Sequence, residues 1–192
     1  MSEYLTHLHI GDRRIGPECP TYVIAEAGIN HNGDPGVARQ LIDAAADAGA
    51  DAVKFQKRTL SELYPKEALK DPTLEEKEVG FVLPYLQEAE LSDEVMADLA
   101  DYCAASGIEF MCTPWDTSSV EFLEALGVRA YKVGSPDMIN FPLLQCLCET
   151  GKPLILSTGM SRPEEIAATV GLLKENGAQF ALLHCQSTYP AP

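Results

Sequence analysis

The sequence is poor in basic residues: 14 Lys and Arg stand against 29 Asp and Glu in 192 residues, a formal net charge of −15. Sequence-independent binding to phosphate backbones needs a dense Lys/Arg face, so nucleic acid and anionic membrane surfaces are not expected partners. No run approaches the roughly 18 consecutive apolar residues of a membrane span. The opening MSEYLTHLHIGDRR has no apolar stretch of a secretory signal, so the expected compartment is the cytoplasm. Six cysteines (Cys19, Cys103, Cys112, Cys146, Cys148, Cys185) contain no C-x-x-C pair. They are expected to be reduced, mostly buried thiols, with Cys146 and Cys148 on different faces of a helix. No G-x-G-x-x-G follows the first strand, which speaks against a dinucleotide crevice.

Hydrophobic residues make up 46% of the chain, enough for a core, and its length is that of one domain. Short apolar runs alternate with amphipathic stretches. The runs at 22–26, 52–56, 108–113, 130–133, 153–157 and 180–185 read as strands, and 35–48, 93–105, 117–126, 141–148 and 162–176 as helices. Asp34-Pro35 and Ser161-x-x-Glu164 are helix starts; Gly49, Gly107, Gly127, Gly151 and Gly177 are helix stops. Residues 57–90 carry Pro65, Pro72 and Pro84 and interrupt the rhythm, so an insertion of short helical pieces over the C-terminal strand edge is expected. Residues 1–20 read as a hairpin or plug ahead of a barrel domain at 21–192.

Strand alternating with helix means βαβ units and a parallel sheet, either open and doubly wound or a (β/α)8 TIM barrel. Polar residues at the end of every strand favour the barrel. The pattern stops just after strand six, whereas such a barrel takes about 250 residues. An incomplete barrel is therefore expected, with unpaired strand edges that make the isolated chain aggregate or pair.

Lys54 and Gln56 share one face of AVKFQ, and Lys132 sits between the apolar residues of YKV, followed by Gly134, Ser135 and Asp137. Lysine is rarely buried without a partner, so two inward lysines imply a cationic well for a phosphate or carboxylate. Glu26 at the end of the first strand has three readings: it holds a metal-bound water, acts as a base, or pairs with Lys54. Thr113, Ser157, Thr158 and Ser187 place hydroxyls at successive strand ends, each readable as a turn cap or, with Gly159, as part of a donor ring ahead of a helix. His31 in Asn-His-Asn reads as a bond to the loop backbone, Trp115 as packing, and Tyr189 as either a sugar contact or a rim filler.

The strings AEAGINHNG (25–33), DAVKFQ (51–56), AYKVGSPD (130–137), KPLILSTGM (152–160) and LLHCQSTYPAP (182–192) closely resemble the sialic acid synthase family, which includes N-acetylneuraminate, legionaminic, pseudaminic and spore-coat polysaccharide synthases. The resemblance runs in order from about Tyr22 onward, and EAGINHNG is closer to the neuraminate and legionaminate branches. It implies a (β/α)8 barrel followed by an antifreeze-like domain absent from this chain, in a homodimer. The implied reaction condenses phosphoenolpyruvate with N-acetylmannosamine or a related aldehyde sugar, giving a nine-carbon 2-keto acid and phosphate. By motif position, Lys54, Thr113, Lys132, Ser135, Ser157 and Ser187 would bind phosphoenolpyruvate. Gln56, Asp137 and Tyr189 would face the sugar, and the catalytic set would be Glu26, Lys54, Lys132 and Asp137. The implied Mn2+ or Mg2+ has its ligands outside this chain. Asp137 and Ser187 depart from the Glu and Asn of some members. Two alternatives stand beside this one: a Schiff-base barrel aldolase using Lys54 or Lys132, and a truncated, non-catalytic fragment.

Overall fold

A computed structural model describes residues 7–74 and 77–188. The chain opens with a hairpin, β1 (Leu8–Ile10) and β2 (Arg13–Ile15), then runs through β3 (Ile24–Gly28), α1 (Pro35–Asp47) and β4 (Ala52–Lys57). The insertion holds α2 (Leu60–Leu63), α3 (Lys66–Lys70), a 3-10 turn (Pro72–Leu74) and α4 (Lys77–Glu88). Next come α5 (Asp93–Ala105), β5 (Glu109–Pro114), α6 (Thr117–Leu126), β6 (Tyr131–Val133), a 3-10 turn (Ser135–Ile139), α7 (Phe141–Glu149), β7 (Leu154–Ser157), α8 (Pro163–Glu175) and β8 (Phe180–Leu183). Two compact units result: Val23–Leu126, and Met1–Tyr22 with Gly127–Pro192. No helix among the described residues is long and apolar enough to cross a membrane.

In the Val23–Leu126 unit, β4 pairs in parallel with β3 on one side and β5 on the other. Both neighbours being covered, β4 is buried along almost its whole length, including Val53 and Phe55. That is why its apolar residues, Ala52, Val53 and Phe55, are packed on both faces of the sheet. Helix α1 buries Ala38, Ile42 and Ala45, and α5 buries Met96, Leu99 and Cys103, each set spaced along one helical face. Phe55 stacks on Phe110 at 5.6 Å between centroids. Full burial of each such side chain stabilises by about 1.5–3 kcal/mol. Asp34 caps α1: its Oδ1 accepts from Gly36 N at 2.7 Å and Val37 N at 3.2 Å.

Two expectations for this unit are corrected. The first strand begins at Ile24, because Val23 is held by the turn before β4: its N–H donates to Asp51 Oδ2 at 2.8 Å. The strand also runs past Glu26 to Gly28, with a register shift between them and Gly28 at φ +55°, so Glu26 lies within the strand and not at its end. The insertion is not only short pieces, since α4 continues through Pro84. Proline costs a helix interior a hydrogen bond and a clash; here Pro84 lies on the exposed side of the helix, while Leu83 and Leu86 are buried.

In the other unit, β7 pairs in parallel with β6 and β8, setting Lys132 beside Ile155 and Ser157 beside Leu183. Helix α7 buries Leu143, Leu144 and Leu147, and the core is completed by Tyr131, Met138, Leu154, Leu156 and Leu173. The hairpin buries Leu8 and Ile10 and turns at Gly11, where a Cβ would stand 2.2 Å from Arg129 Nη1. Strand β8 leaves Leu182 and Leu183 exposed.

The helix stops are as expected: Gly49, Gly107, Gly127, Gly151 and Gly177 all have φ between +65° and +76°. The start of α8 is shifted by one residue. Arg162, not Ser161, is the N-cap, and the reaching carboxylate is Glu165, whose Oε2 accepts from Arg162 N at 2.7 Å. Arginine offers no acceptor, so only the Glu half of the capping box forms. The cysteines are free, but only Cys103 and Cys112 are buried; Cys19 in the turn after β2, Cys146 and Cys148 on α7, and Cys185 just past β8 are half-buried.

Candidate active site

Each unit carries a lysine in mid-strand surrounded by polar partners. In the Val23–Leu126 unit, the β3–β4 register sets Glu26 directly beside Lys54. Lys54 Nζ lies 2.5 Å from Glu26 Oε2 and donates to Thr113 Oγ1 at 3.3 Å. The lysine side chain is 8% exposed and the glutamate 52%, so the pair is buried at its cation and open at its anion. Of the three readings of Glu26, the ion pair with Lys54 is therefore formed. A Cβ on Gly28 would stand 3.0 Å from Glu26 Oε1 and 3.3 Å from Gln56 Nε2. Glycine is what lets these two polar groups flank the bulge.

Gln56 Oε1 accepts from Arg58 Nη2 at 2.6 Å, and the Arg58 guanidinium carbon lies 4.3 Å from the centre of the Trp115 ring. Trp115 thus packs, as its sequence context indicated. His31 is 2% exposed, and its Nδ1 accepts from Gly33 N at 3.2 Å. Burial holds its pKa below the ordinary value, partly opposed by a hydrogen bond to the Gly28 backbone. It is a loop-fixing residue. Cys112, beside Thr113, is pushed up to about 12 by burial, against the pull of Lys54, Lys57 and Arg58.

In the other unit, Lys132 Nζ donates to Ser157 Oγ at 2.6 Å and to Val133 O at 2.7 Å. Ser135 Oγ accepts from Gly159 N at 3.2 Å and lies 3.7 Å from Cys185 Sγ. A Cβ on Gly159 would meet Cys185 O at 3.0 Å, Ser187 Oγ at 3.0 Å and Cys185 Sγ at 3.2 Å. Lys132, Ser135, Ser157, Gly159, Cys185 and Ser187 are thereby gathered at one set of strand ends. Burial raises the Cys185 pKa, but hydrogen bonds with Ser135, Ser157 and the Thr158 and Gly159 backbone outweigh it, and the thiol ends below its ordinary value. A pKa lowered in this way marks a place that favours negative charge.

Two expected members are also tied into the fold. Asp137 is 9% exposed, and its Oδ1 accepts from Asn140 Nδ2 at 3.0 Å; Asn140 in turn caps α7. Thr158 Oγ1 donates to Leu183 O at 2.9 Å, tying β7 to the end of β8. Tyr189 lies outside the described residues. Two residues were missed by sequence reasoning. Arg58 continues the 54, 56 alternation by one step, a signal that was available. Asp116 was not: its carboxylate accepts from Thr59 N at 2.6 Å and Ser119 N at 2.7 Å, one of which is 57 residues away in sequence. Among the described residues, no three His, Cys, Asp or Glu side chains converge. This part of the chain does not by itself fit the divalent metal that the resemblance implies.

Comparison with known proteins now defines the class. The crystal structure of an N-acetylneuraminic acid (sialic acid) synthetase from Leptospira borgpetersenii, in complex with citrate, superposes with a TM-score of 0.84 at 33% identity, covering 97% of this chain and 61% of that one. The fold is thus α/β of the TIM-barrel type, as expected. The chain belongs to the NeuB family, which it matches over residues 41–192. It is 40% identical to the uncharacterized protein MJ1065 of Methanocaldococcus jannaschii, over 96% of this chain and 52% of that protein. It is 39% identical to the N,N'-diacetyllegionaminic acid synthase of Campylobacter jejuni, over 90% of this chain and 53% of that enzyme. The chain therefore spans about half the length of these relatives.

Proposed function

We propose that this chain carries part of the machinery of a sialic acid-type synthase, condensing phosphoenolpyruvate with N-acetylmannosamine or a related N-acetylated aldehyde sugar. Family membership supports the reaction class. The observation that carries the reading is the donor cluster around Lys132, where a buried ammonium 2.6 Å from Ser157 Oγ neighbours a thiol whose acidity is raised by hydrogen bonds. Such preorganised donors suit a phosphate or carboxylate.

In this reading Lys132, Ser135, Ser157 and Ser187, and likewise Lys54 and Thr113, are ligands of phosphoenolpyruvate. Gln56, Asp137 and Tyr189 serve the sugar. The enol carbon C3 attacks the sugar aldehyde, forming the new carbon–carbon bond and leaving an oxocarbenium centre at C2. Water adds there, and phosphate departs by cleavage of its bond to C2, so that phosphoenolpyruvate, aldehyde and water become 2-keto acid and inorganic phosphate. Glu26, open to solvent on its oxygen side while fixed by Lys54, accepts the proton of that water.

The test is phosphate release by the protein purified at the length its own cells make, with phosphoenolpyruvate and a panel of N-acetylated aldehyde sugars. Release that requires one of the sugars supports the synthase. No release with any of them overturns it. Borohydride trapping of a pyruvate adduct on Lys54 or Lys132 points instead to the Schiff-base aldolase.

A further inference from the structure

Arg58 lies one alternation beyond Gln56, and its guanidinium is fixed on two sides. Its planar face lies over Trp115 at 4.3 Å, and Nη2 donates to Gln56 Oε1 at 2.6 Å. The backbone beneath it is also tied, since Trp115 N donates to Lys57 O at 3.1 Å. A carboxamide has one accepting end and one donating end, and an Arg offers only donors. The opposite flip of Gln56 would set an NH2 against the guanidinium, donor against donor. With Oε1 committed to Arg58, the Nε2 end falls on the Gly28 side, 3.3 Å from the position of a Gly28 Cβ, a position itself 3.0 Å from Glu26 Oε1. Gln56 and Arg58 also line one cleft, together with His31 and Lys57.

We propose that Arg58 is a positioning residue: acting through Gln56, it keeps the donor end of that carboxamide turned to the Glu26 side and so sets the affinity for an acceptor sugar that offers an oxygen there. This inference rests on the synthase reading of the same residues. It differs from a role in charge recognition, because the guanidinium acts on Gln56 and not on the sugar.

The experiment is steady-state phosphate release by the protein at its natural length, with Arg58→Ala, Arg58→Met, Arg58→Lys, Gln56→Ala and the double variant of Arg58→Ala with Gln56→Ala. Loss of one well-placed hydrogen bond predicts a KM for the sugar about tenfold higher in Arg58→Ala, with the KM for phosphoenolpyruvate within about twofold of the unsubstituted protein. The double variant is expected to be no worse than Gln56→Ala alone, the signature of one residue acting through the other. Arg58→Lys, which still donates to Oε1, is expected to recover part of the loss. Arg58→Met keeps a stem over Trp115 without the donor, and carries the same expectation as Arg58→Ala should the latter not fold. An unchanged sugar KM in a folded Arg58 variant overturns the inference alone, as do additive effects in the double variant or an equal rise in both KM values. Absence of phosphate release from the unsubstituted protein overturns the synthase reading and this inference with it.

Discussion

Two cysteines report opposite surroundings beside the two lysine clusters. Cys112, next to Thr113, is pushed up to about 12 by burial although Lys54, Lys57 and Arg58 act on it. Cys185, near Ser135, is only half-buried and ends below its ordinary value because hydroxyls and backbone N–H groups aim at it. Positive charge nearby is therefore not enough to favour an anion; what counts is whether donors point at the spot and whether it is wet enough to keep desolvation small. The lysines follow the same division. Lys54 is engaged by a carboxylate at 2.5 Å, so its charge is already shared. Lys132 donates to a hydroxyl and a backbone carbonyl and stands among the hydroxyls and N–H groups gathered at the strand ends.

The strongest way to break this comparison is alkylation. With Cys112 at about 12 and Cys185 below its ordinary value, far more of Cys185 than of Cys112 is thiolate at pH 8. Iodoacetamide labelling followed by mass mapping should mark Cys185 first, with a rate that levels off at lower pH than for an ordinary thiol, and phosphoenolpyruvate should protect it. Comparable labelling of Cys112 in the folded protein refutes the contrast.

Next in size are the lysines. Removing a hydrogen-bonded charge costs about 1.5–3 kcal/mol, so Lys132→Ala is expected to weaken phosphoenolpyruvate binding by about 100-fold and Lys54→Ala by about tenfold, read by calorimetry. Glu26→Gln, which releases the Lys54 charge, should tighten binding a few-fold. A larger loss at Lys54 than at Lys132 reverses the assignment.

The last effects, on stability and not on binding, concern caps. Asp116 is 7% exposed and holds two backbone N–H groups, so Asp116→Ala should lower stability by about 2–3 kcal/mol in denaturant titration. The exposed Glu165 cap of α8 should cost only a small part of that when replaced by Ala. Equal shifts would mean that burial of the cap does not set its worth.

Much of this was readable in the sequence because the signals are local. The five stop glycines, Asp34-Pro35, and the spacing of Met96, Leu99 and Cys103 all act within a turn or two of the chain, and α5 and α6 fall on their expected limits. The lysine positions were legible too, since a charged residue inside an apolar strand is costly without partners. Partners themselves were less so. Ser161 looked like the cap of α8, yet Arg162 takes that position because Glu165 reaches its N–H. Arg58 escaped because the strand was ended at Gln56, whereas β4 continues to Lys57. Asp137 and Thr158 carry the residue types of a binding site, and each has a structural contact as well: Asp137 bonds the α7 cap residue Asn140 and Thr158 holds a strand end; only tertiary contacts reveal these.

One loop residue couples two segments distant in sequence. A Cβ on Gly33, at φ +75°, would stand 2.1 Å from Glu88 O, so the C-terminal end of α4 lies directly on the backbone between β3 and α1. The insertion is consequently anchored at the end beyond Pro84. In hydrogen-exchange terms, the amides of the 29–34 loop and those of the last turn of α4 are expected to form one opening unit, shedding protection at a common free energy instead of fraying separately.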